Sequence, residues 1–239
     1  MDHAAGVKQA EPTGQDAGFV RRAFASIAGR YVLTNHVLSF GIDVLWRQKT
    51  ARAVADLRPR FVLDLATGSG DLASEIEHLC PAASTTVIGA DFSPPMLRQA
   101  RRRGLRNLIV ADAMNLPFAD EVVDVVTVAF GLRNMASWPG GLREMSRVLK
   151  PGGTLFVLDF SLPTWQPMRA LHLFYLRKVM PRIAGLLTGQ RGAYEYLCGS
   201  IEKFPAGEAM CRLMKANGFS SAQSESLSLG IASLYRAVK

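Results

Sequence analysis

The sequence predicts an α/β fold built on a parallel sheet, with strands and helices in alternation. Three observations predict it. Short apolar runs alternate with helical periodicity from residue 61 to residue 159, the order expected of parallel strands joined by crossover helices. The first run, Phe61 to Leu65, leads through Thr67-Gly68-Ser69-Gly70 into a helical pattern, which reads as strand, glycine turn, helix. Three acids, Asp64, Asp91 and Asp112, stand at the carboxyl ends of successive runs.

Taken in order, residues 1–18 are Ala, Gly, Gln and mixed charge and read as a mobile tail. Residues 19–56 are helical in pattern, with Phe24, Ile27, Ala28 and Tyr31 on one face and Val44, Leu45, Gln48 and Arg52 on the next. This prefix precedes the core and reads as a lid or substrate wall. The core strands are Phe61–Leu65, Thr85–Ala90, Asn107–Ala111, Val122–Phe130 and Thr154–Asp159, and the fourth is apolar enough to be buried on both faces. Helices fall at about 70–79, at 94–103 behind Ser93 and two prolines, and at 138–149. Lys150-Pro151-Gly152-Gly153 reads as a turn. A helix from Ala206 to Asn217 is closed by Gly218, and Ser220 to Val238 alternates like a hairpin around Gly230. Ser161 to Ala193 differs in character. It holds no Asp or Glu but five cations, Arg169, Arg177, Lys178, Arg182 and Arg191, among Leu171, Phe174, Leu176 and Met180. That is a basic amphipathic stretch, which an ordinary surface helix also produces.

At 239 residues the chain has the length of one α/β domain. Its net charge of +8 suits an anionic partner, nucleic acid or lipid headgroups alike. Three widely spaced cysteines, Cys80, Cys198 and Cys211, make neither a metal spacing nor a disulfide framework and point to a reducing cytoplasm. No run of 18 apolar residues suggests a membrane span, and no signal-peptide pattern opens the chain.

Gly68 and Gly70 allow a tight turn and close approach of a ligand to the backbone. Asp91 follows Gly70 by 21 residues, the place for a carboxylate that accepts both ribose hydroxyls of an adenosine. Asp112-Ala113 comes one βα unit later, where a carboxylate can accept from an adenine amino group and a backbone amide can meet a ring nitrogen. Any one of these acids could be a helix cap; three in register point to adenosine. A dehydrogenase would also need a second nucleotide subsite and a proton-handling Tyr/Lys pair or His. The one Tyr-x-x-x-Lys is Tyr235 to Lys239 in the last strand, and the four histidines have no catalytic context. S-adenosylmethionine needs only what the sequence supplies, and no metal.

Asp64-Leu-Ala-Thr-Gly-Ser-Gly-Asp71, Asp91-Phe-Ser-Pro-Pro-Met-Leu97, Asp112-Ala-Met-Asn-Leu-Pro-Phe118 and Arg147-Val-Leu-Lys-Pro-Gly-Gly153 resemble the successive motifs of class I S-adenosylmethionine-dependent methyltransferases. Phe130-Gly-Leu-Arg-Asn134, Leu158-Asp-Phe-Ser161, Tyr194-Glu-Tyr-Leu-Cys-Gly-Ser-Ile-Glu-Lys-Phe-Pro205 and the last ten residues resemble, more specifically, the ubiquinone/menaquinone biosynthesis C-methyltransferase family. So do Phe24 to Tyr31, Asn35, Ser39-Phe-Gly41 and Trp46-Arg47, and the resemblance spans about residues 19–239. It departs at Val32, where the family usually has Asp, and at Ser69, where Thr is usual.

The resemblance implies the class I methyltransferase fold, a Rossmann-like, doubly wound, mostly parallel seven-stranded sheet with an antiparallel C-terminal strand, in one domain, 19–239, with a helical lid at 19–56 and a helical substrate-side insertion at 161–205. It implies C-methylation of a prenylated hydroquinone, demethylmenaquinol or a ubiquinol precursor. S-adenosylmethionine would lie against Asp64, Thr67, Gly68, Ser69, Gly70, Asp91, Phe92, Asp112, Ala113 and Ala129, with the Ser69 hydroxyl toward it. Arg133, Asn134 and Tyr31 would stabilise a ring phenolate, and Tyr194, Tyr196 and Phe130 would hold the quinol. A lipid substrate also gives the basic stretch at 161–193 a role as a peripheral contact with the inner face of the cytoplasmic membrane. No RNA-binding module is visible, which leaves nucleic acid out. The rivals at this point are another small-molecule or RNA methyltransferase of the same fold and a non-catalytic binder of S-adenosylmethionine. The choice between naphthoquinol and benzoquinol, and the oligomeric state, a homodimer included, stay open.

Overall fold

The computed structural model describes residues 39, 41–182 and 198–239. Helix α1 (Ile42–Ala55) leads into β1 (Phe61–Leu65), α2 (Asp71–Leu79), β2 (Thr86–Asp91), α3 (Pro94–Arg102) and β3 (Leu108–Val110). Then come β4 (Val123–Ala129), a 3-10 turn (Leu132–Asn134), α4 (Trp138–Val148), β5 (Leu149–Phe160) and α5 (Gln166–Phe174), which runs on through a π turn (Tyr175–Val179). Helix α6 (Glu208–Lys215) precedes the hairpin of β6 (Ser221–Leu227) and β7 (Ala232–Val238).

The seven strands lie in the order β3-β2-β1-β4-β5-β7-β6. Strands β1 to β5 are parallel, and β7 runs against both its neighbours, β5 and β6. The expected doubly wound sheet is therefore present. Its central strands are buried on both faces because helices cover both. On one face Val62, Val125, Phe156 and Leu158 pack with Ile76 of α2 and Trp46, Ala51 and Val54 of α1. On the other Leu63, Leu65, Val126 and Val128 pack with Leu142 and Met145 of α4 and Met210 and Met214 of α6. Strand β5 starts five residues earlier than the sequence suggests. Leu149 pairs with Val123, and the Lys150–Gly153 turn is a bulge within the strand before Thr154 rejoins the ladder opposite Val125.

The face that α1 buries is also not the expected one. Val44 and Leu45 are exposed, the latter by 62%, whereas Asp43, Trp46, Arg47, Thr50, Ala51 and Val54 are buried. Trp46 decides the rotation. Its ring meets Phe160 edge-on at 6.1 Å and Phe130 at 6.3 Å, and its Nε1–H donates to Ser228 Oγ at 3.0 Å. One large ring with a polar handle outweighs two smaller aliphatic side chains. The described part of the helical prefix is thus a packed wall of the core. The rest of the expected lid, like the expected tail, lies outside the described residues.

Candidate active site

The order of the strands reverses between β1 and β4, so the chains leaving their carboxyl ends diverge and leave a crevice there. A cavity of about 440 Å³ occupies it. Asp64 to Ser69 line it from β1, Asp91 to Ser93 from β2, Val110 to Met114 from β3, Ala129 to Gly131 and Asn134 to Ala136 from β4, and Arg47 from α1.

The glycine turn is built by backbone conformation and two carboxylates. Ala66, Gly68 and Gly70 have φ of 54°, 58° and 81°, so the chain turns away from β1 in the left-handed region. Gly131, in the turn after β4, has its backbone so near that an added Cβ would lie 2.6 Å from Ala66 Cβ. Asp64 is 1% exposed and accepts from Thr67 Oγ1 and Thr127 Oγ1, each at 2.6 Å. Burial outweighs those hydroxyl bonds and pushes its carboxyl up to about 6. For Asp71, burial is overcome by the Ser69 hydroxyl, the Arg47 charge and Arg103, and its carboxyl stays below the usual range.

Asp91, 5% exposed, ties the turn to β2. Its Oδ2 accepts the Gly68 N–H at 2.9 Å and its Oδ1 the Ser93 N–H at 2.8 Å. Burial nonetheless raises its carboxyl above the ordinary value. A carboxylate oxygen can accept more than one bond, so each oxygen keeps an acceptor site toward the cavity. That is the capacity a pair of ribose hydroxyls requires. Asp112, exposed, holds Met114 N–H at 2.9 Å on Oδ1 and also lines the cavity. The chemistry of the donor set thus fits S-adenosylmethionine, a ligand with two positive groups, a ribose and an adenine.

Of the expected ligand contacts, Asp64, Thr67, Gly68, Ser69, Asp91, Phe92, Asp112, Ala113 and Ala129 line this one cavity, and so do Phe130 and Asn134. Three others stand differently. Gly70 is not in the lining. An added Cβ there would meet Leu105 Cδ1 at 2.1 Å and Ala100 Cβ at 3.1 Å, so this glycine serves helix packing. The Ser69 hydroxyl, expected to face the ligand, donates to Asp71 instead. Arg133 is 1% exposed and outside the lining. Its Nη1 pairs with Asp159 Oδ1 at 2.5 Å, and its guanidinium carbon lies 5.3 Å from the Phe160 ring centre and 6.0 Å from that of Phe130. Burial keeps the Asp159 carboxyl raised even beside that cation. Phe130 itself has φ of 58°, a strained value for a bulky residue. Tyr31, Val32, Tyr194 and Tyr196 lie outside the described residues.

Two charged side chains of the cavity, Asp71 and Arg47, stand in family-like segments of the sequence but are not among the expected site residues. Asp71 was visible only as the end of the glycine motif. Arg47 adjoins Trp46 in the prefix, but the more apolar Val44 and Leu45 suggested that the opposite face turns inward.

The model of the ubiE/COQ5 methyltransferase family matches residues 11–239. Curated relatives include the demethylmenaquinone methyltransferase of Thermus thermophilus, 45% identical over 89% of this chain and 97% of its own. The ubiquinone/menaquinone biosynthesis C-methyltransferase UbiE of Geotalea daltonii is 39% identical over 92% of this chain and 96% of its own. Among solved structures, a Thermotoga maritima SAM-dependent methyltransferase superposes with a TM-score of 0.64 at 20% identity, over 92% of this chain and 99% of that one.

Proposed function

The chain belongs to the ubiE/COQ5 methyltransferase family and is an S-adenosylmethionine-dependent methyltransferase of quinone biosynthesis; we propose that its acceptor is a ring carbon of a prenylated hydroquinone. Bound S-adenosylmethionine supplies an electrophilic methyl group. The observation that supports a ring acceptor is the wall contributed by the β4–α4 connection, where apolar Phe130, Met135 and Ala136 accompany a single amide, Asn134. A flat ring suits such a wall, and Asn134 can hydrogen-bond a ring hydroxyl. A neutral phenol carbon is a poor nucleophile; loss of the hydroxyl proton (pKa about 10) pushes charge into the ring. Holding that oxygen and the ring carbon in line with the methyl group is the task of the wall.

Arg133 in this reading acts through its neighbours. Paired with Asp159 and set against Phe130 and Phe160, it fixes the strained turn from which Phe130 and Asn134 project, and Asn134 Nδ2 donates back to Phe130 O at 3.3 Å. It is a positioning residue. Tyr31, Tyr194 and Tyr196 remain the proposed contributions of their segments to the acceptor side.

A lipid acceptor must come from a membrane. No described helix is long and apolar enough to cross one. Helix α5 and the π turn instead expose Trp165, Leu171 and Phe174 by 67%, 62% and 59%, beside exposed Arg169, Lys178 and Arg182. Arg177 is paired with Glu202 and adds less charge than the sequence suggests. We propose that this face rests on an anionic bilayer. Sedimentation with phosphatidylglycerol vesicles should exceed that with neutral vesicles; equal sedimentation would remove the membrane contact.

The acceptor is tested by methyl transfer from radiolabelled S-adenosylmethionine to reduced demethylmenaquinone and to a ubiquinol precursor lacking the ring methyl. Label in either quinol supports the proposal. Binding of the donor with no transfer to either would overturn it.

A further inference from the structure

We infer that Arg47 is the anion-recognising residue of the cofactor subsite, holding the α-carboxylate of the methionyl half of S-adenosylmethionine; the inference rests on that cofactor reading. Among the described residues lining the cavity, Arg47 is the one cation, facing four carboxylates, Asp64, Asp71, Asp91 and Asp112. The ligand carries two positive groups and one negative group. The acids suit the first two, and Arg47 alone suits the third.

Its place selects the methionyl half. The Arg47 charge acts on Asp64 and Asp71, the acids on either side of the glycine turn. The ribose acceptor Asp91 and the adenine-side Asp112 belong to later strands. Its donors are also available. A guanidinium has five N–H groups, and the described bond of Arg47 uses Nη1 alone, toward Asp43. Asp43 is fully buried and is held by Ser39 Oγ at 2.6 Å, so it orients the fork from one side. The Phe130 ring centre, 5.2 Å from the guanidinium carbon, supports it from another. At 8% exposure the group is desolvated on its protein side while it still lines the cavity, the setting in which a charge-assisted bond to a carboxylate is strongest.

The experiment is calorimetric and needs no turnover. S-adenosylhomocysteine is compared with its decarboxylated form, which keeps the amine and the adenosine, on the intact chain and on Arg47→Gln and Arg47→Lys. The intact chain should prefer the carboxylate-bearing ligand by roughly 10- to 100-fold. Arg47→Gln should lose most of that preference and bind the decarboxylated ligand about as well as before, with Arg47→Lys in between. Equal losses on both ligands would mark a purely structural role, and an undiminished preference would place the carboxylate elsewhere; either overturns the inference. If Arg47→Gln does not fold, the intact chain and Arg47→Lys still decide it. Failure of the intact chain to bind either ligand would instead sink the cofactor reading itself.

Discussion

Two buried Arg–Asp pairs touch the same aromatic ring and differ in what they face. Arg47–Asp43 lies within one turn of α1, Arg133–Asp159 joins the turn after β4 to the end of β5, and both guanidinium groups lie within 6.0 Å of the Phe130 ring centre. The first opens on the cavity and the second is closed off behind it. A motif can therefore mark an arginine as important without saying whether it meets ligand or scaffold. Here Arg133, from the Phe-Gly-Leu-Arg-Asn motif, is shut in the core, while Arg47, from the Trp-Arg segment, borders the ligand space.

The largest expected effect separates the two pairs by stability. Arg133→Met strands Asp159 in the core, and removing one partner of a buried pair costs about 3–5 kcal/mol. Arg47→Met also strands a buried carboxylate, but Asp43 keeps the Ser39 hydroxyl and the vacated space borders the cavity, so its cost should be smaller. Urea unfolding of the two variants checks this, and equal losses would erase the distinction. Next, Asp91→Ala removes the proposed ribose acceptor and strips the Gly68 and Ser93 amides of their partner. Affinity for S-adenosylhomocysteine should fall roughly 10- to 100-fold; unchanged calorimetric binding would deny Asp91 that role.

A smaller effect is set by pH. The Asp64 carboxyl titrates near 6 in the folded chain, above its ordinary value of 3.8. Between those values the folded chain keeps a proton that the unfolded chain has released. Asp64 therefore favours folding most at low pH and weakens it as pH rises through about 6. From pH 5 to pH 7 the stability of Asp64→Asn relative to the parent should improve by about 1 kcal/mol. A difference independent of pH in thermal melts would show that Asp64 ionises normally. The smallest effect belongs to an exposed pair on the same helix as Arg47. Lys49 and Glu225 are about half exposed, and Lys49→Ala should change stability by less than about 1 kcal/mol. A larger loss would mean that solvent screening does not separate surface pairs from buried ones here.

Much of this site could be read in advance because it follows the chain locally. Strand, glycine turn and acid recur at fixed offsets, and the parallel sheet brings Asp64, Asp91 and Asp112 to one edge whatever else the chain does. The roles of Gly70 and of the Ser69 hydroxyl are not legible in this way, for a different reason. Their neighbours Leu105 and Asp71 act through space, and a glycine needed for packing looks the same in sequence as one needed for a ligand.

By itself the sequence determined the alternation of strand and helix and the three acids at strand ends, because periodicity and the spacing of turns are short-range properties; the order in which the strands pair is tertiary. Only the tertiary structure decided which arginine reaches the acid-lined crevice. The rotation of α1 follows from where Trp46 lodges between Phe130, Phe160 and Ser228, and the burial of Arg133 follows from Asp159, 26 residues away along the chain. Both depend on contacts that periodicity does not encode.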